Sequence, residues 1–227
     1  MGLARWWDET VVPRIIRCGC AQAPIMEIRK DVVPLASGRV LELGCGGGIN
    51  QQLYDPARIE DFAGLDPSGK GLDYARAAAE EKGWSADIRQ GVAEDIPFAD
   101  ESFDTVVCTF TLCSVHDHGR SLSELRRVLR PGGKLFLTAF IIRDADELTN
   151  PGCDPRLTGF ERLENQPCWH LKGENPMAAV GFDDGFIDGA MANAGFTLAA
   201  KSFGTWHGDP ADHYQDFLIA EKLRRNA

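Results

Sequence analysis

The stretch VLELGCGGGIN, residues 40–50, decides the fold. An apolar run that carries one acid, Glu42, breaks into glycines at positions 44, 46, 47 and 48. A short apolar strand followed by a glycine-rich turn is typical of the first βα unit of a parallel sheet, where free backbone N–H groups bind a ligand. Such a turn can also serve only to let the strand and the next helix pack closely, and this stretch alone leaves that alternative open.

From residue 39 onwards, short apolar runs alternate with helical patterns, which predicts βα units and a largely parallel sheet. Helical patterns over 68–83 and 121–133 each begin at a serine and end at glycine, as capped helices do. The last two apolar runs are separated by a short loop and predict a closing hairpin. The predicted strands cover residues 39–44, 61–66, 86–91, 103–110, 133–141, 197–206 and 214–223.

Length and composition indicate one α/β domain with an ordinary core, since 44% of the 227 residues are hydrophobic. A net charge of -10 argues against nucleic acid as a partner. The chain has no apolar run long enough to span a membrane, no secretory signal and seven irregularly spaced cysteines, so we expect a cytoplasmic protein with reduced thiols. We divide the domain into a helical preface or lid (1–38), a core (39–141), a substrate-side insertion (142–181) and a closing helix and hairpin (182–227).

The acid before the glycines indicates the charge of the ligand. A dinucleotide fingerprint would place its third glycine at position 49, which is Ile49, and Glu42 would oppose a pyrophosphate. S-adenosylmethionine carries an ammonium and a sulfonium and no phosphate, so it fits better. Asp66 ends the second predicted strand, where a carboxylate can accept both ribose hydroxyls. Glu94 or Asp95, after the third strand, can accept from an adenine amino group.

Four stretches in this order and spacing, VLELGCGGG, GLDPS, AEDIPFADESFDTVVCTFTLCSV and LRRVLRPGGKLFLT, resemble the class I S-adenosylmethionine-dependent methyltransferases. The small-molecule type is most similar, in particular the ubiquinone/menaquinone C-methyltransferases and the methyltransferase-like thiol methyltransferases. The resemblance covers residues 39–141. It implies a Rossmann-like, mostly parallel seven-stranded sheet with its last strand antiparallel, helices on both faces and an N-terminal helical lid. Val92 departs from it, because many relatives have an acid there.

The resemblance also implies the cofactor and the reaction. A methyl group would pass from S-adenosylmethionine to a small-molecule acceptor by in-line displacement, leaving S-adenosylhomocysteine. The acceptor, the accepting atom and the oligomeric state stay open. The implied cofactor-binding residues are Glu42, Gly44, Cys45, Gly46, Asn50, Asp66, Pro67, Ser68, Ala93, Glu94, Thr109 and Phe110.

The stretch CSVHDHG, after the fourth strand, provides candidates for the transfer step. His116 is the candidate general base and Asp117 its orienting partner, although His116 and His118 could instead cap the next helix or face solvent. No metal site is predicted, since no further ligands have a defined spacing. Two other functions stay open: a catalytically silent S-adenosylmethionine-binding regulatory protein, and a nicotinamide-dependent oxidoreductase, which Ile49 and Glu42 oppose.

Overall fold

A computed structural model of the protein describes residues 23–162, 168–171 and 179–224. Most of the predicted preface, with its Trp6–Trp7 and Cys18-x-Cys20 sequences, therefore lies outside the described residues. Within the described ranges, no helix is both long and apolar enough to cross a membrane.

The central sheet follows the predicted alternation. Seven strands lie in the spatial order β3-β2-β1-β4-β5-β10-β9, with the first five parallel and β10 antiparallel to both of its neighbours. The mostly parallel sheet and the closing hairpin are thus confirmed. The bounds are β1 (Gly38–Leu43), β2 (Ile59–Asp66), β3 (Ala86–Gln90), β4 (Phe103–Cys108), β5 (Leu129–Ile142), β9 (Thr197–Ser202) and β10 (Asp216–Glu221).

Helices cover both faces of this sheet, as predicted. Their bounds are α1 (Ala23–Val32), α2 (Gly69–Glu81), α3 (His118–Val128) and α4 (Asp184–Asn193). The hydroxyl of Ser68 accepts from Gly71 N at 3.1 Å and caps α2 where the sequence predicted. The helix predicted over 121–133 is α3, which begins three residues earlier and ends at Val128 because Leu129 already pairs with Phe103 in the sheet.

Alternating side chains of the strands build two cores. On one face Leu41, Leu65 and Val106 pack against α3 and α4, and on the other Val40 and Phe62 pack against α1. Helix α1 contributes the fully buried Ile28 and Val32 to this second core. The described end of the predicted lid is therefore a core helix, and a lid over residues 1–22 stays a prediction.

The insertion predicted over 142–181 contains secondary structure that its sequence did not reveal. Two hairpin-paired strands, β6 (Phe160–Arg162) and β7 (Cys168–Leu171), continue through β8 (Val180–Asp183) to the main sheet. Strand β5 is longer than predicted, and its outer edge is divided: residues 134–139 pair with β10 and residues 140–142 with β8. The three extra strands have only three or four residues each, too few for a recognisable alternation.

Candidate active site

A cavity of about 450 Å³ opens at the carboxyl ends of β1, β2 and β4, within the size range of small-molecule sites. The loop after β3 forms one of its walls. Twelve of the fourteen predicted site residues line the cavity, and the two that do not are Asn50 and Asp117. The sequence pattern therefore located the pocket, and the contacts inside it distinguish the roles of its residues.

The glycine turn brings bare backbone to the cavity floor. Gly44 has a left-handed φ of 74°, and a Cβ there would lie 2.1 Å from Thr111 Oγ1. A Cβ on Gly46 would lie 2.6 Å from Asp66 Oδ2. Thr111, after β4, therefore leaves no room for a side chain at position 44, and Asp66, at the end of β2, leaves none at position 46.

Glu42 is a buried acid at the cavity wall, with 2% of its surface exposed. Its Oε1 accepts from Asn50 Nδ2 at 3.0 Å and its Oε2 from the Tyr54 hydroxyl at 3.1 Å. Burial raises the pKa of its carboxyl to about 7, although Arg29, Tyr54 and Asn50 all act in the opposite direction. A carboxylate offers about four acceptor sites, so these two bonds leave half of the capacity of Glu42 for a ligand.

Arg29 reaches the same wall from α1 and was not among the predicted residues. It is 6% exposed, donates to Thr109 Oγ1 at 2.9 Å and to the Asn50 side-chain oxygen, and lies over the Phe110 ring at 4.7 Å. Asn50 thus connects Arg29 with Glu42, which explains its place behind the cavity. Nothing in the sequence distinguishes Arg29 from the other three arginines of the predicted preface, and only the packing of α1 on the sheet identifies it.

Phe110, at the end of β4, forms another part of the wall in a conformation unusual for an aromatic residue. Its φ is 56°, in the left-handed region. The Phe110 N–H donates to Thr138 Oγ1 at 3.0 Å, which ties this bend to β5. Such backbone strain in a bulky residue is found where the surrounding structure fixes a functional wall.

Asp66 ends β2 beside the glycine turn. Its Oδ1 accepts from Ser68 N at 2.8 Å and its Oδ2 from Gly46 N at 3.1 Å. Burial raises the pKa of this carboxyl, against the two backbone bonds that favour its ionised form. Each oxygen keeps one acceptor site, so the pair can receive two hydroxyl groups of a ligand.

The wall after β3 contains Val92, Ala93 and Glu94. Val92 is 44% exposed and gives this wall an apolar surface, whereas the exposed Asp95 does not line the cavity. The Glu94 carboxylate points across the cavity mouth: its Oε1 accepts from His116 N at 2.6 Å and from Asp117 N at 3.1 Å.

The two histidines of CSVHDHG lie in different environments. His116 is exposed and lines the cavity, while His118 packs edge-on against Phe182 at 5.1 Å, and burial lowers its pKa. The Asp117 carboxylate accepts from Arg120 N at 2.9 Å and caps α3, so its predicted orienting role stays a prediction. Across the described ranges, no group of three or more His, Cys, Asp or Glu residues could hold a metal ion.

A second buried acid, Asp216, lies at the start of β10 and does not line the cavity. Its Oδ1 accepts from Gly204 N at 2.7 Å and is 3.0 Å from His207 Nε2. Its Oδ2 accepts from Ile141 N at 2.6 Å and from Trp206 Nε1 at 2.8 Å. Trp206 and His207 are buried parts of this network.

Known proteins resemble this chain over its central part. Residues 41–137 match the model of a methyltransferase domain. A phosphatidylethanolamine N-methyltransferase of Cereibacter sphaeroides is 37% identical over 59% of this chain and 63% of its own length. A human thiol S-methyltransferase is 46% identical over 44% of this chain and 43% of its own. The chain thus spans about half the length of the curated relatives it matches.

A solved structure has the same fold at low sequence identity. An S-adenosylmethionine-dependent methyltransferase from Aquifex aeolicus superposes with a TM-score of 0.62 at 15% sequence identity. The match covers 93% of this chain and 98% of that one. At this identity the likeness concerns the fold alone.

Proposed function

We propose that this chain, whose residues 41–137 match a methyltransferase domain, transfers a methyl group from S-adenosylmethionine to a small-molecule acceptor. One observation carries the proposal: Glu42 is buried at the cavity wall with half of its acceptor capacity unused, and the cationic Arg29 lies on the same wall. When bound, S-adenosylmethionine would supply a methyl group on a positively charged sulfur. The sulfur is the leaving group when a nucleophile attacks that methyl group.

The residues of the cavity fit this cofactor from one end to the other. The ammonium of its methionine part matches the free acceptor sites of Glu42, and the carboxylate of that part matches Arg29. The two ribose hydroxyls match the free sites of Asp66. The apolar Val92 and Ala93, beyond Asp66 in the order of the sheet, match the adenine ring. A pyrophosphate would instead meet the charge of Glu42, which disfavours a nicotinamide dinucleotide.

For the transfer step, we propose that the walls align the acceptor and that His116 takes its proton. In-line displacement chiefly requires positioning of the nucleophile, and a base helps only acceptors that hold their proton at neutral pH. His116 is the exposed imidazole at the cavity mouth, where it can reach an acceptor. The relatives act, by their names, on nitrogen and on sulfur, so the accepting atom stays open.

Isothermal titration calorimetry of the purified protein tests the cofactor assignment. S-adenosylmethionine and S-adenosylhomocysteine should bind with micromolar dissociation constants, and NAD should not bind. Binding of NAD alone would overturn the proposal. Asp66→Ala should weaken S-adenosylhomocysteine binding by about 1.5 to 3 kcal/mol, because hydrogen bonds to a charged acceptor are lost. Asp73→Ala, on the exposed side of α2, is the matched control and should bind like the parent protein.

The acceptor assignment needs a separate test. Radiolabelled methyl transfer to a panel of small amines, thiols and phenols should yield one labelled class, and His116→Ala should slow that reaction while cofactor affinity holds. Cofactor binding without transfer to any class would favour the silent regulatory protein. The cytoplasmic location and the absence of a nucleic-acid partner stay predictions from composition.

A further inference from the structure

The Glu94 carboxylate joins two walls of the cavity that are far apart in sequence. Glu94 belongs to the wall after β3, and the amides that it accepts belong to His116 and Asp117, 22 and 23 residues later. Both bonds end on the same oxygen, Oε1, at 2.6 and 3.1 Å. An oxygen that already accepts two N–H groups has both of its lone-pair sites filled, so these bonds commit Oε1 to the segment and leave only Oε2 for any other donor.

The segment that Glu94 contacts carries the candidate base. Residues 112–114 form a 3₁₀ turn and α3 begins at His118, so residues 115–117 are the irregular connection between them. At its start the Ser114 hydroxyl donates to Thr111 O at 2.9 Å, and at its end Asp117 caps α3. Between these two anchors, the bonds to Glu94 hold the backbone of His116 itself.

The charge state of Glu94 fits a role as an acceptor of backbone N–H groups. Burial acts against ionisation, but the backbone N–H groups of Asp117, of Glu94 itself and of His116 together outweigh it and lower the pKa of this carboxyl. The carboxylate is therefore ionised at neutral pH, and its two hydrogen bonds are charge-assisted.

We propose that Glu94 is a positioning residue that fixes His116 at the cavity mouth, rather than a ligand of the adenine amino group. The inference rests on the proposed function, in which the wall of Val92 and Ala93 receives adenine and His116 faces the acceptor. Because Glu94 follows Ala93 directly, occupancy of this wall by the cofactor then also steadies the segment that meets the acceptor.

Backbone amide exchange, read by NMR at His116 and Asp117, tests the proposal together with calorimetry using S-adenosylhomocysteine. Glu94→Ala should speed exchange at these two amides roughly tenfold or more, since their acceptor is gone. Its dissociation constant for S-adenosylhomocysteine should stay within about threefold of the parent value, because no ligand contact is lost. Glu94→Gln, whose amide oxygen can still accept both N–H groups, should restore most of the protection.

Two controls separate positioning from a general effect on the fold. Asp95→Ala removes the neighbouring exposed acid and should leave both amides and the affinity unchanged. If Glu94→Ala does not fold, Glu94→Asp withdraws the carboxylate by one methylene and should likewise lose the protection. In the parent protein S-adenosylhomocysteine should slow exchange at His116 and Asp117, and this effect should be absent from Glu94→Ala.

Three outcomes would overturn the proposal: unchanged exchange in Glu94→Ala, intact protection with affinity lowered tenfold or more, or the same ligand-induced slowing in Glu94→Ala as in the parent. Failure of the proposed function gives a different result. If the parent protein binds no S-adenosylhomocysteine, the cofactor assignment fails, while exchange at the two amides still decides whether Glu94 holds the segment.

Discussion

Glu42 and Asp216 are both buried acids at the carboxyl edge of the same sheet, with 2% and 0% of their surfaces exposed. Asp216 has four polar partners, two for each oxygen, from two segments of the chain, Ile141 and residues 204–207. Glu42 has two donors and faces a cavity. The acceptor sites of Asp216 are all occupied by groups of the protein, whereas about half of those of Glu42 are unoccupied.

The difference separates structural from functional burial of charge. A buried carboxylate is tolerated where hydrogen bonds replace the water that it loses. Asp216 meets that condition without a ligand, so it holds β10, β5 and the segment of Trp206 together. Glu42 meets it only in part, and burial accordingly raises the pKa of Glu42 to about 7. Its remaining acceptor sites are those that we propose for the ammonium of the cofactor.

Asp216→Asn should give the largest effect on stability. The amide group keeps the shape of the side chain but turns an N–H₂ towards buried donors, and breaking a buried hydrogen-bonded network costs about 3 to 5 kcal/mol. Urea unfolding measures this loss. Asp212→Asn, an exposed acid four residues earlier, should stay within about 0.5 kcal/mol of the parent protein. Equal stability of both variants would show that Asp216 does not stabilise the fold, and its distinction from Glu42 would fail.

Glu42→Gln should act on the ligand instead of the fold. The free energy of unfolding should hold or rise, because a neutral amide loses less on burial and the Tyr54 hydroxyl can turn to accept from it. The dissociation constant for S-adenosylhomocysteine should rise about tenfold to a hundredfold, since a charge-assisted bond to the ammonium is lost. A loss of stability as large as that of Asp216→Asn would show that Glu42 is structural as well.

The pH dependence of binding sharpens the same contrast. Binding of a cation requires ionised Glu42, and with a pKa of about 7 the affinity for S-adenosylhomocysteine should be about tenfold weaker at pH 6 than at pH 8. Calorimetry across this range should give no such slope in Glu42→Gln. The stability of the free protein depends on pH with the opposite sign. Because the pKa of Glu42 is raised in the folded state, Glu42 contributes stability that is fully present below its unfolded pKa of 4.5. This contribution is lost as the pH rises through about 7.

Tyr54→Phe should give the smallest effect. The ring keeps its edge-to-face contact with Phe62 at 5.5 Å, and only the hydroxyl that donates to Glu42 is removed. Binding of S-adenosylhomocysteine should weaken by about 1 kcal/mol, a few-fold. Because the Tyr54 bond lowers the pKa of Glu42, its loss should also move the pH profile of binding upwards. An unmoved profile would contradict the assigned contact.

The sequence predicted the cofactor half of the molecule well because its signals are local. The order of strand, glycine turn and strand-end acid requires Gly44, Gly46 and Asp66 near one another, and the structure brings them into contact. Arg29 could not be predicted, since its role depends on the packing of α1 against a strand that begins later in the chain. The direction of the Glu94 side chain also depends on a contact made 22 residues away.

The structure of residues 142–215 could not be predicted from local patterns. Strands β6 to β8 are too short to show a period. Aromatic and histidine side chains such as Trp206 and His207 occur both in cores and at binding sites, so residue type alone does not locate them. Their burial and the bonds that they make to Asp216 place Trp206 and His207 in the interior.

The position of β10 has a consequence for synthesis of the chain. This strand leaves the ribosome after the other nine described strands, yet it lies between β5 and β9. Until residues 216–221 emerge, the outer edge of β5 over residues 134–139 has no partner and β9 has no place in the sheet. Pairing over such sequence distances is slow, and an open apolar edge invites association with other chains. A nascent chain stalled before residue 216 should therefore be a substrate for chaperones that shield strand edges.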